Sequence, residues 1–231
     1  MNLAIMQPYF FPYIGYFQLI AAADKFVFYD DVNFIKNGWI NRNRLVLAGT
    51  TRYITVPLAG ASPFLKINQI NLQDGEGWRR KLLESLRHSY SKAPYFDDVS
   101  ALVQEVLVAN EKISEVAKAS LTAVCRHLGL EREFVSSSSI YGNDALSGQA
   151  RVLDICSKEG ATAYYNLPGG KDLYSEQDFA RQNISLHFIQ PRIEPYPQFT
   201  EQFQPGMSII DVLMFNDRAK AKAMICSEIS T

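Results

Sequence analysis

The densest group of side chains capable of chemistry lies in residues 30–44, which read DDVNFIKNGWINRNR. The adjacent carboxylates of Asp30 and Asp31 can accept a proton, and Lys36 supplies a cation for an anionic substrate. Such a mixture suits a phosphorylated or zwitterionic ligand. Because Asn and Asp also form turns, a polar loop with capping duties explains the segment equally well. Under the functional reading, Asp30, Asp31 and Lys36 are candidate catalytic residues, and the candidate binding residues are Asn33, Asn41, Arg42 and Asn43.

Alternation along the second half of this segment divides its polar side chains into two sets. If NRNRL is extended, Asn41 and Asn43 share one face, and Arg42 and Arg44 share the other. Only one set is expected to face a site, and we favour Asn41 and Asn43.

A second candidate segment, QPYFFPYIGYF at residues 7–17, links an apolar run to a helical pattern. Two prolines stiffen it, and unpaired N–H groups at a helix start favour a phosphate or carboxylate. Core packing of the aromatic side chains is the alternative. The candidate binding residues here are Gln7, Tyr9, Tyr13, Gly15 and Tyr16.

Two later loops also follow apolar runs. NLPGGKDLY offers Asn166, Gly169, Gly170 and Lys171, although an ordinary glycine-rich turn explains it as well. PRIEPYPQF offers Tyr196. The three histidines lack nearby partners in the sequence and are interpreted as structural, and no metal-binding motif is present.

The elements that must position these loops alternate between strand and helix. Apolar runs at 3–6, 26–29, 134–138, 163–167 and 184–189 predict strands. Residues 44–47 and 53–56 predict a β-hairpin, and alternation at 66–72 predicts a half-exposed strand. The fold class is therefore α/β, with a parallel-core, Rossmann-like sheet and a β-hairpin excursion. Such sheets bind ligands at the carboxyl ends of their strands, where all four loops begin.

Helical spacing is continuous in the middle of the chain, over 78–90, 97–109 and 113–129. We predict one α/β domain over residues 1–231 with a helical insertion at about 78–129. Further helices are expected at 149–160, from Ser175, and over 208–215.

Composition excludes several classes of protein. A net charge of −1 and a pI of about 6.3 argue against a general nucleic-acid binder. Three widely spaced cysteines argue against a disulfide framework. Without a signal-like start or a long apolar run, we expect a cytoplasmic protein with no membrane span.

At these residues the sequence resembles the WbqC-like protein family. The resemblance is carried by QPYFFPYIGYF, ADKFVFYDDVNFIKNGWINRNR, YITVPL, KAPYF, GATAYYNLPGGKDLYSEQDF, PYPQF and SIIDVL, from residue 7 to residue 213. It implies a setting in bacterial O-antigen or other polysaccharide gene clusters. The implied activity is transfer of glycine, or a similar acyl group, to an amino sugar.

A shorter resemblance concerns the turn itself. Tyr13-Ile14-Gly15-Tyr16 stands where HxGH nucleotidyltransferases place two histidines. Tyrosine is neutral at pH 7, so a nucleotide or sugar-nucleotide pocket without nucleotidyl transfer is one alternative function. A non-catalytic scaffold of a sugar-assembly complex is another. The expected partner is a small-molecule substrate, with no metal, and the oligomeric state is left open.

Overall fold

Five parallel strands form the central sheet of the computed structural model, which describes residues 1–108 and 110–227. The strands are β1 (Asn2–Met6), β2 (Lys25–Phe28), β7 (Glu133–Val135), β8 (Ala163–Asn166) and β9 (Ser185–Phe188), in the spatial order β7-β2-β1-β8-β9. All four neighbouring pairs are parallel. The predicted α/β class with a parallel core is therefore confirmed.

Helices cover both faces of this sheet because its central strand is apolar on both. Ala4 packs toward α1 (Ile14–Ala22), α4 (Ile113–Leu128) and α8 (Arg218–Cys226). Its neighbours Leu3 and Ile5 pack on the other side, against α5 (Gly148–Lys158) and α6 (Glu176–Arg181). This three-layer packing buries the three central residues of β1 and leaves the strand ends free to carry polar loops.

The excursions from the sheet also follow the sequence. β3 (Arg42–Leu47) and β4 (Thr50–Thr55) form an antiparallel hairpin through Ala48 and Gly49, both with positive φ. Such a two-residue turn matches the natural twist of a hairpin. The other strands and α-helices are the two-residue strands β5 (Leu58–Ala59) and β6 (Asn71–Leu72), and the helices α2 (Gly77–Tyr90), α3 (Phe96–Val108) and α7 (Ile209–Phe215). The segment after β8 forms a 3-10 helix (Pro168–Leu173).

Three details differ from the sequence-based expectation. Residues 66–72 form a 3-10 turn (Ile67–Gln69) and the short β6, because Ile67 and Ile70 are both buried instead of alternating with exposed residues. β7 ends at Val135, and Ser138–Tyr141 forms a second 3-10 turn. Helix α8 was not predicted. Ala109, in the second predicted helix, and residues 228–231 lie outside the described residues.

The strand order creates a point at which the chain changes direction across the sheet. From β1 the chain moves to β2 and β7 on one side, whereas β8 and β9 are added on the other. The loops that leave β1 and β8 therefore diverge to opposite faces. In open α/β sheets the crevice beyond such a switch point is the usual ligand site.

Candidate functional site

A cleft of about 970 Å³ occupies this switch point. It is lined by the loop after β1, the segment after β2, the β3 strand, the start of α5 and the loop after β8. The volume lies at the upper end of the range for small-molecule sites and is large enough for a nucleotide-sized ligand. Nine of the predicted site residues contribute to its lining: Gln7, Tyr9, Tyr13, Asp31, Asn33, Asn43, Asn166, Gly169 and Gly170.

The loop after β1 is held in an unusual backbone conformation. Phe11 has a backbone φ of 40°, which residues other than glycine rarely adopt. Its carbonyl accepts hydrogen bonds from Asn43 Nδ2 at 2.9 Å and Ser208 Oγ at 2.6 Å, and its N–H donates to Ser120 Oγ at 3.0 Å. Three separate elements thus fix this peptide and, with it, the neighbouring Tyr9 and Pro12 of the cleft wall.

Gly15 permits a close approach that no other residue allows. A Cβ atom there would lie 2.5 Å from Cε2 of Tyr13 and 2.7 Å from Cβ of Pro191. The Tyr13 ring therefore rests over the first turn of α1, between the helix and the cleft. Burial, and to a lesser degree Tyr9, raises the pKa of Tyr13, so it is a neutral hydrogen-bonding group at pH 7.

Tyr16 does not reach the cleft. Its side chain is fully buried, and its hydroxyl donates to the Gln7 carbonyl at 2.6 Å. Of the two tyrosines at the positions of the nucleotidyltransferase histidines, only Tyr13 lines the cleft. Gln7 has a different feature: its Oε1 is buried without a hydrogen-bond donor among the described residues.

The two adjacent aspartates have different surroundings. Asp31 is 4% exposed, yet it lines the cleft and pairs with Arg151 Nη2 at 2.5 Å. Its second oxygen accepts from Ser138 Oγ. Arg151 also donates to Asn143 Oδ1 at 2.9 Å, and Asn143 donates to Asp154 at 2.6 Å. Asp31 is thus a fixed, charged group with acceptor capacity to spare.

Asp30 lies behind the cleft and does not line it. It is 1% exposed, pairs with Lys118 Nζ at 2.6 Å on α4, and accepts from Ser137 Oγ at 2.6 Å. The backbone alternates at this point, so consecutive side chains point to opposite sides of the sheet. Asp30 therefore ties β2 to α4, whereas Asp31 faces α5 and the cleft.

The β3 strand contributes both an amide and a guanidinium. Asn43 and Arg44 line the cleft together because the strand crosses the cleft edge, so the two predicted sets are not exclusive. Asn41 instead donates to the Val56 carbonyl at 2.9 Å. Arg42 donates to the carbonyls of Asn37 and Gly38. Neither Asn41 nor Arg42 lines the cleft.

Arg44 carries unused hydrogen-bonding capacity. Its Nη2 donates to the Gly206 carbonyl at 3.2 Å, whereas its buried Nε has no acceptor among the described residues. It forms no ion pair with any of those residues. The other cations of the lining, Lys66 and Arg151, are paired with Asp144 and Asp31. Arg44 is therefore the excess positive charge of the cleft.

Asn166, the last residue of β8, lines the cleft. Its Nδ2 donates to the Tyr164 hydroxyl at 3.0 Å and its Oδ1 accepts from Leu167 N at 2.7 Å. Gly170 packs against it, since a Cβ there would lie 3.0 Å from Nδ2. Lys171 is exposed and lies over the Phe188 ring, outside the lining.

Two other predicted residues lie outside the cleft. Lys36 is exposed and does not line it. Tyr196 is buried, and its hydroxyl donates to Asp211 Oδ2 at 2.6 Å. Tyr90 donates to Oδ1 of the same carboxylate at 2.6 Å, and Gln198 donates to Oδ2 at 2.6 Å. Burial raises the pKa of Asp211, only partly opposed by these three donors.

Sequence reasoning missed several residues of the lining: Tyr29, Trp39, Arg44, Lys66, Arg151 and Tyr174. Arg44 and Trp39 belong to the DDVNFIKNGWINRNR segment, and the density of polar and aromatic residues there is the sequence signal that could have identified them. Arg151 carried none, because it lies in an ordinary helical pattern 120 residues from Asp31.

Two further findings concern only the residues that the structure describes. They contain no group of three or more His, Cys, Asp or Glu side chains placed to hold a metal ion. None of their helices combines the length and apolarity required to cross a bilayer.

The structure is that of an α/β protein with a cleft at the strand ends of its parallel sheet, lined by segments from four loops. A family model described as the WbqC-like protein family matches residues 7–223. The chain therefore belongs to the WbqC-like family. It is also 29% identical over 224 residues to "Uncharacterized protein Rv1507c" of Mycobacterium tuberculosis, covering 95% of each chain. No solved structure matches it.

Proposed function

We propose that this protein is an acyl or aminoacyl transferase that modifies a nucleotide-linked amino sugar during the synthesis of a surface polysaccharide. One observation carries the proposal: the cleft holds a fixed carboxylate, Asp31, and an excess guanidinium, Arg44. A ligand that satisfies both groups carries an amine and an anion. A nucleotide-linked amino sugar has both, and family membership favours a sugar-assembly setting.

Asp31 is suited to receive the amine. Arg151 and Ser138 occupy one acceptor position on each of its oxygens, and a carboxylate has about four such positions. An approaching amine therefore finds a charged acceptor already held in place, with no side-chain ordering left to complete. Charge-assisted hydrogen bonds of this kind are stronger than neutral ones.

The proposed chemistry is nucleophilic substitution at an activated carboxyl group. The sugar nitrogen attacks the acyl carbon, the new C–N bond forms, and the bond to the leaving group breaks with its electron pair. Asp31 accepts the proton that the nitrogen loses. Arg44 holds the phosphate, and Tyr13 offers a neutral hydroxyl on the cleft wall. Asp30 and Lys36 have no contact with substrate in this scheme.

The test compares UDP-glucosamine with UDP-glucose by calorimetry, since the two ligands differ by the amine. We expect the amino sugar nucleotide to bind at least about tenfold more tightly, because a charged hydrogen bond contributes about 1.5–3 kcal/mol. The Asp31→Asn variant removes that preference. Asp98→Asn, an exposed aspartate on α3, serves as the matched control and keeps it.

Transfer itself is tested by mass spectrometry with a glycine thioester as donor. We expect an N-acylated sugar nucleotide from the wild type and none from Asp31→Asn, with folding of each variant checked by circular dichroism. If Asp31→Asn is unfolded, the double variant Asp31→Asn with Arg151→Met, which leaves no unpaired buried charge, replaces it. Equal binding of both sugar nucleotides, or full transfer by a folded Asp31 variant, contradicts the proposal.

A second candidate is a nucleotide-binding protein that performs no transfer. The observation that favours it is Tyr13, which stands at the start of α1 on the cleft wall, where nucleotidyltransferases carry a histidine. Tight binding of UDP-glucose and UDP-glucosamine alike, with no acylated product, would select this function over the transferase.

A further inference from the structure

An exposed tryptophan stands at the edge of the cleft. Trp39 is 37% exposed and lines the cleft beside Arg44, whose guanidinium carbon lies 5.6 Å from its ring centroid. Tyr53 lies 6.2 Å from the same ring, and Arg42 lies 4.4 Å from the Tyr53 ring. These four residues, Arg42, Tyr53, Trp39 and Arg44, form a continuous set that we call the aromatic–guanidinium ladder.

The backbone at Trp39 is held by hydrogen bonds from two sides. Its carbonyl accepts from Phe10 N at 3.0 Å, which ties it to the loop after β1. The preceding turn is closed by Gly38 N donating to the Ile35 carbonyl at 3.1 Å, and Asn37 adopts φ of 63° within it. Arg42 then binds the carbonyls of that turn. A large aromatic ring on a hydrogen-bonded turn at a cleft edge is a ready contact surface for a ligand.

The nearest charged group is suited to an anion. Arg44 has no carboxylate partner among the described residues, and its side-chain hydrogen bond there runs from Nη2 to the Gly206 carbonyl, which leaves Nη1 without an acceptor. A guanidinium binds phosphate through two parallel hydrogen bonds. An aromatic ring beside a phosphate-binding group reproduces the two features by which proteins hold nucleotides, stacking on the base and charge on the phosphate.

We infer that a nucleoside diphosphate binds with its base against Trp39 and its phosphates on Arg44, which directs the attached sugar toward Asp31. This orientation rests on the proposed function. It assigns the nucleotide to one end of the cleft and the amino sugar to the other. Stacking on a ring is tolerant of base identity, so the ladder selects for a nucleotide more strongly than for a particular base. The carboxylate end selects the amino sugar.

The sequence offers a direct optical test, because its tryptophans are Trp39 and Trp78 alone. Trp78 lies in α2, outside the cleft lining, so Trp78→Phe leaves Trp39 as the single tryptophan, whose emission is recorded with excitation beyond the tyrosine absorption band. In this background we titrate UDP, uridine, inorganic pyrophosphate and glucosamine 1-phosphate while recording fluorescence. UDP and uridine are expected to quench Trp39, and the two probes without a base are not. If Trp78→Phe does not fold, the wild-type minus Trp39→Phe difference signal gives the same reading.

Two arginine variants distinguish a specific phosphate contact at Arg44 from the general effect of removing a positive charge. Arg44→Met is expected to weaken UDP binding at least about tenfold while changing uridine binding much less. Arg52→Met is the matched control: it lies on the adjacent β4, is exposed, and donates through Nε to Thr50 Oγ1. We expect it to bind UDP like the parent.

The failure of this inference differs from the failure of the proposed function. If UDP-glucosamine binds by calorimetry but leaves Trp39 fluorescence unchanged, the orientation is wrong and the transferase proposal stands. If glucosamine 1-phosphate quenches as strongly as UDP, the sugar and not the base lies on Trp39, which also overturns the inference. If none of the sugar nucleotides binds, the proposed function fails together with it.

Discussion

Two supports of the cleft are built from opposite chemistry. The ionic cluster, formed by Asp31, Ser138, Asn143, Arg151 and Asp154, holds the α5 side through charged groups. The neutral cluster, formed by Phe10, Phe11, Asn43, Ser120 and Ser208, holds the loop after β1 through amides, hydroxyls and backbone carbonyls.

The difference separates two tasks. A charge presented to a ligand must be kept ionised while buried, which requires a paired counter-charge and further hydrogen bonds. A wall that only needs a fixed shape is held adequately by neutral hydrogen bonds, even around a strained peptide such as Phe11. Under the proposed function, the ionic cluster lies at the reactive end of the cleft and the neutral cluster at the shaping end.

The largest expected effect comes from breaking the ionic cluster. Arg151→Met leaves the buried Asp31 carboxylate without its partner and is expected to lower the free energy of unfolding by about 3–5 kcal/mol. Urea denaturation measures it. Arg181→Met removes an exposed pair with Asp178 and is expected to cost at most about 1 kcal/mol.

A double variant sharpens this expectation. Asp31→Asn combined with Arg151→Met removes both charges and is expected to recover a substantial part of the loss, because the uncompensated charge has gone. If Arg151→Met costs no more than Arg181→Met, the pair does not hold the cluster as described.

The neutral cluster predicts a smaller loss. Asn43→Ala removes three hydrogen bonds and is expected to cost about 1–3 kcal/mol. Two run from Nδ2 to the carbonyls of Phe10 at 3.1 Å and Phe11 at 2.9 Å, and one runs from Arg44 N to Oδ1 at 2.8 Å. Asn41→Ala removes one, to Val56, and is expected to cost about 1 kcal/mol. Only Asn43→Ala is expected to weaken UDP-glucosamine binding. If both variants weaken UDP-glucosamine binding equally, Asn43 has no specific role in the cleft.

A third variant tests the packing behind Tyr13. Gly15→Ala places a methyl group 2.5 Å from the Tyr13 ring and 2.7 Å from Pro191. Overpacking of about 1–3 kcal/mol, offset by the better helix propensity of alanine, leaves a net loss of about 1 kcal/mol. Gly169→Ala, with no atom within 4 Å, is expected to be neutral. Thermal unfolding of the two variants distinguishes them, and a neutral Gly15→Ala would show that Tyr13 can move aside freely.

The sequence predicts the shaping end of the cleft better than the reactive end. Prolines and aromatic residues mark residues 7–17 locally, and the strand-end rule places them at the site. The Asp31–Arg151 pair links residues 120 positions apart, and no local pattern reports such a contact. Residue type and position after β2 favour Asp30 and Lys36, whereas the sequence does not report which side of β2 and its following loop they occupy.

Arg44 shows the same limit within a single strand. Alternation correctly separates it from Asn43, but it assumes that a site lies on one face of the strand. β3 crosses the cleft edge, so neighbouring residues on opposite faces both line it. Tyr196 illustrates the converse, since a tyrosine in a loop after a strand proves to be a buried partner of Asp211.

The smallest expected effect concerns the pH dependence of stability. The contributions of Asp154 and Asp211 are expected to change with pH in opposite directions. Asp154, in the ionic cluster, has its pKa lowered below 3.8 by hydrogen bonds from Lys158 and Asn143. The unfolded chain then binds the proton more readily, so the contribution of Asp154 is present above the unfolded pKa and is lost as pH falls through the folded one. Asp211, in the helix that Ser208 caps, has its pKa raised by burial. Its folded form binds the proton more readily, so stability falls as pH rises from 3.8 through the folded pKa.

Both slopes can be isolated by subtracting variants from the wild type. In urea denaturation from pH 3 to pH 7, the wild-type minus Asp154→Asn difference is expected to increase with pH. The wild-type minus Asp211→Asn difference is expected to decrease with pH. If both differences change with pH in the same direction, Asp154 and Asp211 share one kind of environment. The contrast between an ionic and a neutral support would then not extend beyond the residues that touch the cleft.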